Sequence, residues 1–382
     1  MKTTDRERVD PALLAVIGNP GAPRSGPKPP EVPASVPGLR SPVSGLFMLY
    51  EMSRRGIAYP AEMRARFGDV YRVPVIGRTL VFVWDADEIQ RIFKNEDGAW
   101  SAALGWDALM FAKLDPRADN AGSLLSLDFD EHRVARKLVQ PAFTLKAIDA
   151  YIRVAHRHVE EDVARFLERG EVAFKREVRS LLAKVATEIF TGLRDPREVA
   201  LVDAALADFW RGMMPLARNP WISPTFRRAR AGLMTLIRTF VELAPERRAR
   251  PGEDVFSRMC AEAPADGRSD EALVRVFVTI MFGAFDTTSA AMASMAYLLA
   301  KHPDWQERLR AEAKSIGAST PDASAMKNMK EHEWVWKETL RLMPVTGSLP
   351  RRTLREVVVG GHTLAAGTLV SQWSGGMGHH PR

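Results

Sequence analysis

Apolar side chains recur at helical spacing along most of the chain, but the stretch from Leu273 to Leu299 is apolar on nearly every side. Such all-round apolarity predicts a helix inside a core rather than on its surface. Its polar breaks include Thr279, Gly283, Asp286 and Thr287, which at 100° per residue fall close to one face. The helix thus carries a small polar notch. One explanation is purely structural, because a helical Thr bonds back to the carbonyl four residues earlier and a buried Asp finds backbone partners. The other is that something is held against the notch.

Elsewhere the 3.6-residue period predicts helices at Ser44 to Phe67, Asp85 to Phe93, and Asp128 to Arg153 with a break at Pro141. Further helices are predicted near 151–168, 174–192 and 196–212, up to Leu243, around Cys260, and at 303–316 and 325–342. Two β-rich runs, Val70 to Ile76 and Thr79 to Trp84, meet at Gly77-Arg78 as a hairpin. Short strands are predicted at Glu356 to Val359, His362 to Leu364 and Thr368 to Trp373. The span Trp100 to Leu127 has no period, with Trp106, Met110 and Phe111 among Gly and Asp. It reads equally as the cover of a cavity or as a surface loop. The fold class is therefore mainly α with small β-sheets: a single domain at 43–382 behind a Pro/Gly-rich leader at 1–42 that is extended or wraps the surface.

Composition narrows the function classes. At 382 residues and 46% hydrophobic content, the chain can bury one large core. A single cysteine, Cys260, excludes a disulfide framework and a Cys-rich zinc site within the chain. The run Val276 to Ala300 has the length of a bilayer span, but Asp286 and its Gly, Thr and Ser content suit a core helix, so no membrane span is expected. Pro11 to Gly18 is short and follows mixed charges, unlike a secretory signal, and a cytoplasmic location is expected. The formal charge of +7 is spread over amphipathic segments. No nucleic-acid module accompanies it, and a solvated face or a surface for an acidic protein fits better.

Four local patterns follow in fixed order: His132-x-x-x-Arg136, Gly283-Ala284-Phe285-Asp286-Thr287-Thr288, Glu338-x-x-Arg341, and Arg351 opening a β segment. Each is weak alone, since an i,i+3 ion pair contributes only about 0.2–0.5 kcal/mol. Trp334, Trp336, Leu340 and Leu342 around the Glu338–Arg341 pair suggest that it is partly buried.

Together the order and spacing resemble the cytochrome P450 superfamily of haem-thiolate monooxygenases, from about residue 36 to the last residue. The resemblance implies haem b, with His132, Arg136 and Arg351 (or Arg352) meeting its propionates by charge-assisted hydrogen bonds. It implies that the small residues Gly283 and Ala284 admit dioxygen, with Asp286 and Thr287 as a proton relay. Ala284 stands where the family usually has Gly. Glu338 and Arg341 form the implied structural pair. An apolar substrate and NAD(P)H electrons delivered through a ferredoxin or flavoprotein are the implied partners. Arg133, Arg136 and Lys137 offer a basic docking face on a monomeric protein.

One family element has no counterpart: the 382 residues contain no Phe-x-x-Gly-x-x-x-Cys-x-Gly loop after Glu338-x-x-Arg341, so the iron ligand is expected beyond Arg382. The Arg that joins the Glu-x-x-Arg pair is expected there too. Cys260 precedes the central helix and reads as an ordinary thiol. His379 and His380 diverge as neighbours and lack a third ligand. The expectation is an incomplete P450 domain, inactive as given. The alternative is a non-catalytic binding or scaffold protein that keeps the fold.

Overall fold

The structure, a computed structural model, describes residues 9–13, 28–56, 58–75, 78–106, 124–212, 221, 223–266, 269–317 and 321–373. Gly77, Met110, Phe111, His379 and His380 lie outside them. Residues 28–40 run as a strap beside the first strand, followed by α1 (Pro42–Arg55) and α2 (Ala58–Phe67). The single helix expected from Ser44 to Phe67 is divided here. Gly56 takes φ 55°, ψ −131° and ends α1, a conformation that side-chain-bearing residues resist.

Strands β1 (Val70–Val75) and β2 (Arg78–Val83) form the expected antiparallel hairpin, with Val73 opposite Leu80. Asp85 then caps α3 (Ala86–Lys94) by accepting from Glu88 N at 2.9 Å. A two-residue strand β3 (Trp100–Ser101) runs into α4 (Ala102–Trp106).

The helical body comprises α5 (Phe129–Val139), α6 (Leu145–Arg169), α7 (Phe174–Thr191), α8 (Pro196–Arg211), α9 (Pro224–Ala249) and α10 (Val255–Asp266). Through it passes α11 (Asp270–Lys301), started by Ser269, whose Oγ accepts from Ala272 N at 3.3 Å. It packs against α7, α9 and α10, and beyond them against α12 (Pro303–Ile316) and α14 (Lys330–Leu342). A short α13 (Ala323–Lys327) precedes α14, where one helix from 325 was expected.

Strands β4 (Ser348–Thr353), β5 (Val357–Val359), β6 (His362–Leu364) and β7 (Leu369–Trp373) complete the described chain. The main sheet has the order β1-β2-β7-β4-β3, with β7 parallel to β2 and antiparallel to β4; β5 and β6 pair separately.

Burial corrects the reading of α11 as buried throughout. Leu273, Val274, Val276, Phe277, Val278 and Met281 are almost wholly enclosed, whereas Gly283 is exposed and most residues after it are only half-buried. Among the described residues, this helix alone is long and apolar enough to cross a membrane. Its first half is packed inside the helical core.

Candidate functional site

The notch on α11 is open. A Cβ built on Gly283 would meet no atom within 4 Å, so a small residue leaves free space there. Thr287 Oγ1 donates to Gly283 O, Thr288 Oγ1 to Ala284 O at 3.0 Å, and Thr279 Oγ1 to Arg275 O at 2.9 Å. The hydroxyls therefore make the back-bonds that helical Thr favours. Asp286 lies beside Thr287 in sequence, but among the described residues the two side chains share no hydrogen bond. Asp286 Oδ1 instead accepts from Arg179 Nε of α7 at 2.7 Å, and this bond raises the Arg179 pKa. The pair borders a cavity of about 440 Å³ between α7, α8 and α11, with Asp203 and Trp210 on its wall. Trp210 stacks on Phe282 with ring centres 4.0 Å apart.

A second group gathers where α5 meets β4. Asp128 stands at the N-cap of α5, but its carboxylate turns away: it accepts from Ser101 Oγ and from Ala102 N (2.8 Å) and Ala103 N (3.3 Å), so it starts α4 instead. Burial pushes this carboxyl up. His132 is half-buried, and burial, then Arg136 and Arg351, push its imidazole down while Asp128 opposes them. His132, Arg136 and Arg351 thus lie within one electrostatic neighbourhood of positive sign. Arg351 donates from Nη1 to Pro350 O at 2.9 Å and lies 5.2 Å from the Phe93 ring centre.

Strand alternation sends Arg352 the other way. It is fully buried, donates from Nε to Gly367 O at 2.8 Å, and burial pushes its pKa down to about 10. Arg352 is thus held by Gly367 on the opposite face of the strand from Arg351. Glu338 and Arg341 form a two-pronged pair (2.7 and 2.6 Å), but half-exposed rather than partly buried as expected, with Trp334 exposed beside it. The predicted residues therefore fall into three groups rather than one: Asp286 with the notch, the cations around Asp128, and Glu338–Arg341 near the far end of α11.

Sequence reasoning missed Arg179, Asp128 and Gly105. A Cβ at Gly105 would stand 2.8 Å from the Pro350 backbone, so this glycine lets α4 lie directly on β4 beside Arg351. Arg179 pairs across 107 residues, and no local pattern signals that. Trp100, Phe209 and Trp210 pack with the core, and Trp221 is almost wholly exposed.

The fit to haem is partial. The cationic group suits two carboxylates, and a Cβ at Gly283 would meet open space. No thiolate is on offer, since Cys260 is completely buried and burial pushes its thiol up to about 12. Among the described residues, no three His, Cys, Asp or Glu side chains cluster as metal ligands.

A helical body is threaded by one notched helix and flanked by a small sheet whose Arg351 lies near the basic helix α5. The chain belongs to the cytochrome P450 family, whose model matches residues 36–382. It is 24% identical over 333 residues to cytochrome P450 524A1 of Dictyostelium discoideum, covering 82% of this chain and 60% of that protein. It is 28% identical over 259 residues to cytochrome P450 136 of Mycobacterium tuberculosis, covering 66% and 53%. The chain spans between 53% and 66% of the length of the curated relatives it matches. Retinoic acid-bound cyanobacterial CYP120A1 superposes with a TM-score of 0.74 at 21% identity, over 93% of this chain and 78% of that one. P450BioI, solved with an acyl carrier protein carrying hexadec-9Z-enoic acid, gives 0.69 at 16%, over 87% and 80%.

Proposed function

We propose that this chain is the haem-enfolding part of a monooxygenase that inserts one oxygen atom of dioxygen into an apolar organic substrate. Its electrons come from NAD(P)H through a ferredoxin or flavoprotein. The observation that carries the reading is the open face at Gly283 with the Thr287 hydroxyl one turn further along the helix. His132, Arg136 and Arg351 would hold the haem carboxylates, and haem, when bound, supplies the activation of dioxygen. The chain's own part is to exclude bulk water along the enclosed first half of α11 and to hold a proton at Thr287 Oγ1. Asp286 accepts from Arg179 Nε at the mouth of a cavity. Exposed Arg133, Arg136 and Lys137 on α5 would contribute to a basic face for the electron donor. The apolar bodies of retinoic acid and hexadecenoic acid in the two structural neighbours favour an apolar substrate here as well.

Residues 43–382 would form one P450-type domain, working in the cytoplasm as a monomer. The test is spectroscopic. Reduced chain with haem and carbon monoxide should give no thiolate-type Soret band, and the chain with a P450-type Cys loop joined after residue 382 should give one. A thiolate band from residues 1–382 alone overturns the ligand assignment, and none from the extended chain overturns the enzyme reading. The rival, a P450-fold binder without oxygen chemistry, is favoured by one observation: the single thiol is buried and inert.

A further inference from the structure

The cavity between α7 and α8 is a slot with two different ends. Residues four apart share a helix face, and Arg179, Ala183 and Thr187 follow one another along α7 in this way. Asp203, Ala207 and Trp210 do the same on the facing side of α8, and all but Thr187 line the cavity of about 440 Å³. Thr187 Oγ1 donates to Asp203 Oδ1 at 3.0 Å, and Thr187 is only 1% exposed, so this bond closes the floor. The other end, at Trp210, lies seven residues on, about 10 Å along the helix. The small side chains of Ala183 and Ala207 keep the middle empty.

The acid on the floor has no cation. Among the described residues, Thr187 is the one hydrogen-bond partner of Asp203, and no arginine or lysine pairs with it. Its second oxygen, Oδ2, makes no hydrogen bond, yet it is not enclosed by protein, so it is open to a ligand in the slot. Burial pushes this carboxyl up and the Thr187 bond opposes it, with no positive neighbour contributing. Asp286 at the mouth differs, because Arg179 already occupies its Oδ1. A carboxylate drawn out of water needs a counter-charge, and Thr187 supplies only a neutral donor.

We infer that the slot binds a primary amine with an apolar tail, whose ammonium donates to Asp203 Oδ2 while the tail runs past Ala183 and Ala207 to the Trp210 side chain. The ammonium supplies the missing charge and a charge-assisted hydrogen bond, neither of which an alcohol can match. Arg176 and Arg179 line the slot away from its floor, where an apolar carboxylate would be drawn if cations rather than Asp203 governed binding. Of the residues lining the slot only Asp286 belongs to the proposed proton relay, so amine binding at Asp203 stands apart from the oxygen chemistry.

The experiment is titration calorimetry of the full chain at neutral pH with octylamine, octanol and octanoate, repeated on Asp203→Asn, Ala207→Leu and Asp286→Asn. Octylamine should bind at least about ten-fold more tightly than octanol or octanoate, and Asp203→Asn should remove about ten-fold of that affinity. Asn keeps an acceptor for Thr187 Oγ1, so this variant removes the charge and spares the floor. Ala207→Leu fills the middle of the slot without touching the floor and should weaken octylamine and octanol alike. Asp286→Asn should leave octylamine affinity within about two-fold. Octanol or octanoate binding as tightly as octylamine, unchanged octylamine affinity in Asp203→Asn, or a loss confined to Asp286→Asn would each overturn the site.

Discussion

The two halves of α11 have much the same apolar character and opposite surroundings. In the first, Phe277 stands edge-on to Phe240 with ring centres 4.8 Å apart and lies 4.7 Å from Phe256, fully enclosed. In the second, Tyr297 is 53% exposed and carries the Lys301 ammonium 4.6 Å from its ring centre. Hydrophobicity says that a segment gains by burial, but its partners come from distant parts of the chain. Helices α7, α9 and α10 provide them for the first half.

Phe277→Ala tests this contrast most severely. It should cost about 3–5 kcal/mol in denaturant unfolding, and a loss under 1 kcal/mol would mean that the first half is not the packed one. Gly283→Ala at the boundary should instead stabilise by about 0.5–1 kcal/mol, because the helix gains and the new methyl meets nothing. A destabilised variant would show that the notch is filled, and weaker haem uptake by the stabilised one would sharpen its assignment.

His132 gives a smaller, pH-dependent effect. Its folded pKa lies below the ordinary value of 6.5, so the folded state binds the proton less well than the unfolded chain. The stability it contributes is present above pH 6.5 and is lost as pH falls through the folded value. Unfolding midpoints of the wild type should therefore drop more between pH 7 and pH 5 than those of His132→Gln, and parallel curves would remove His132 from the positive group. Smallest of all, Tyr297→Ala should move stability by no more than about 0.5 kcal/mol, and a larger loss would place a packing partner on the second half.

Elements whose cause is local were legible in the sequence. Asp85 and Ser269 announce helix starts, the hairpin follows from alternation about a turn, and the α11 notch is visible as four residues on one face. What depended on distant chain was not. Asp128 opens the helix predicted from Asp128 to Arg153, yet Ser101 and Ala102 approach from another element and take its carboxylate. Arg179 becomes the partner of Asp286 only once α7 lies against α11. The choice between Arg351 and Arg352 needed the strand's facing, which its pairing with β7 fixes. Gly56 lies inside the single helix predicted from Ser44 to Phe67, and its backbone ends α1 there.

The central place of β7 in the sheet also sets an order of events during synthesis. Val81 and Val370 are parallel neighbours some 290 residues apart in the chain, a distance that a ribosome covers in roughly 15–60 s at typical elongation rates. The hairpin can close as soon as it emerges, yet one edge of β2 has no ladder partner until nearly the whole described chain has been made. A nascent P450 of this topology therefore carries a ready-made strand edge for most of its synthesis, the kind of surface that other chains pair with.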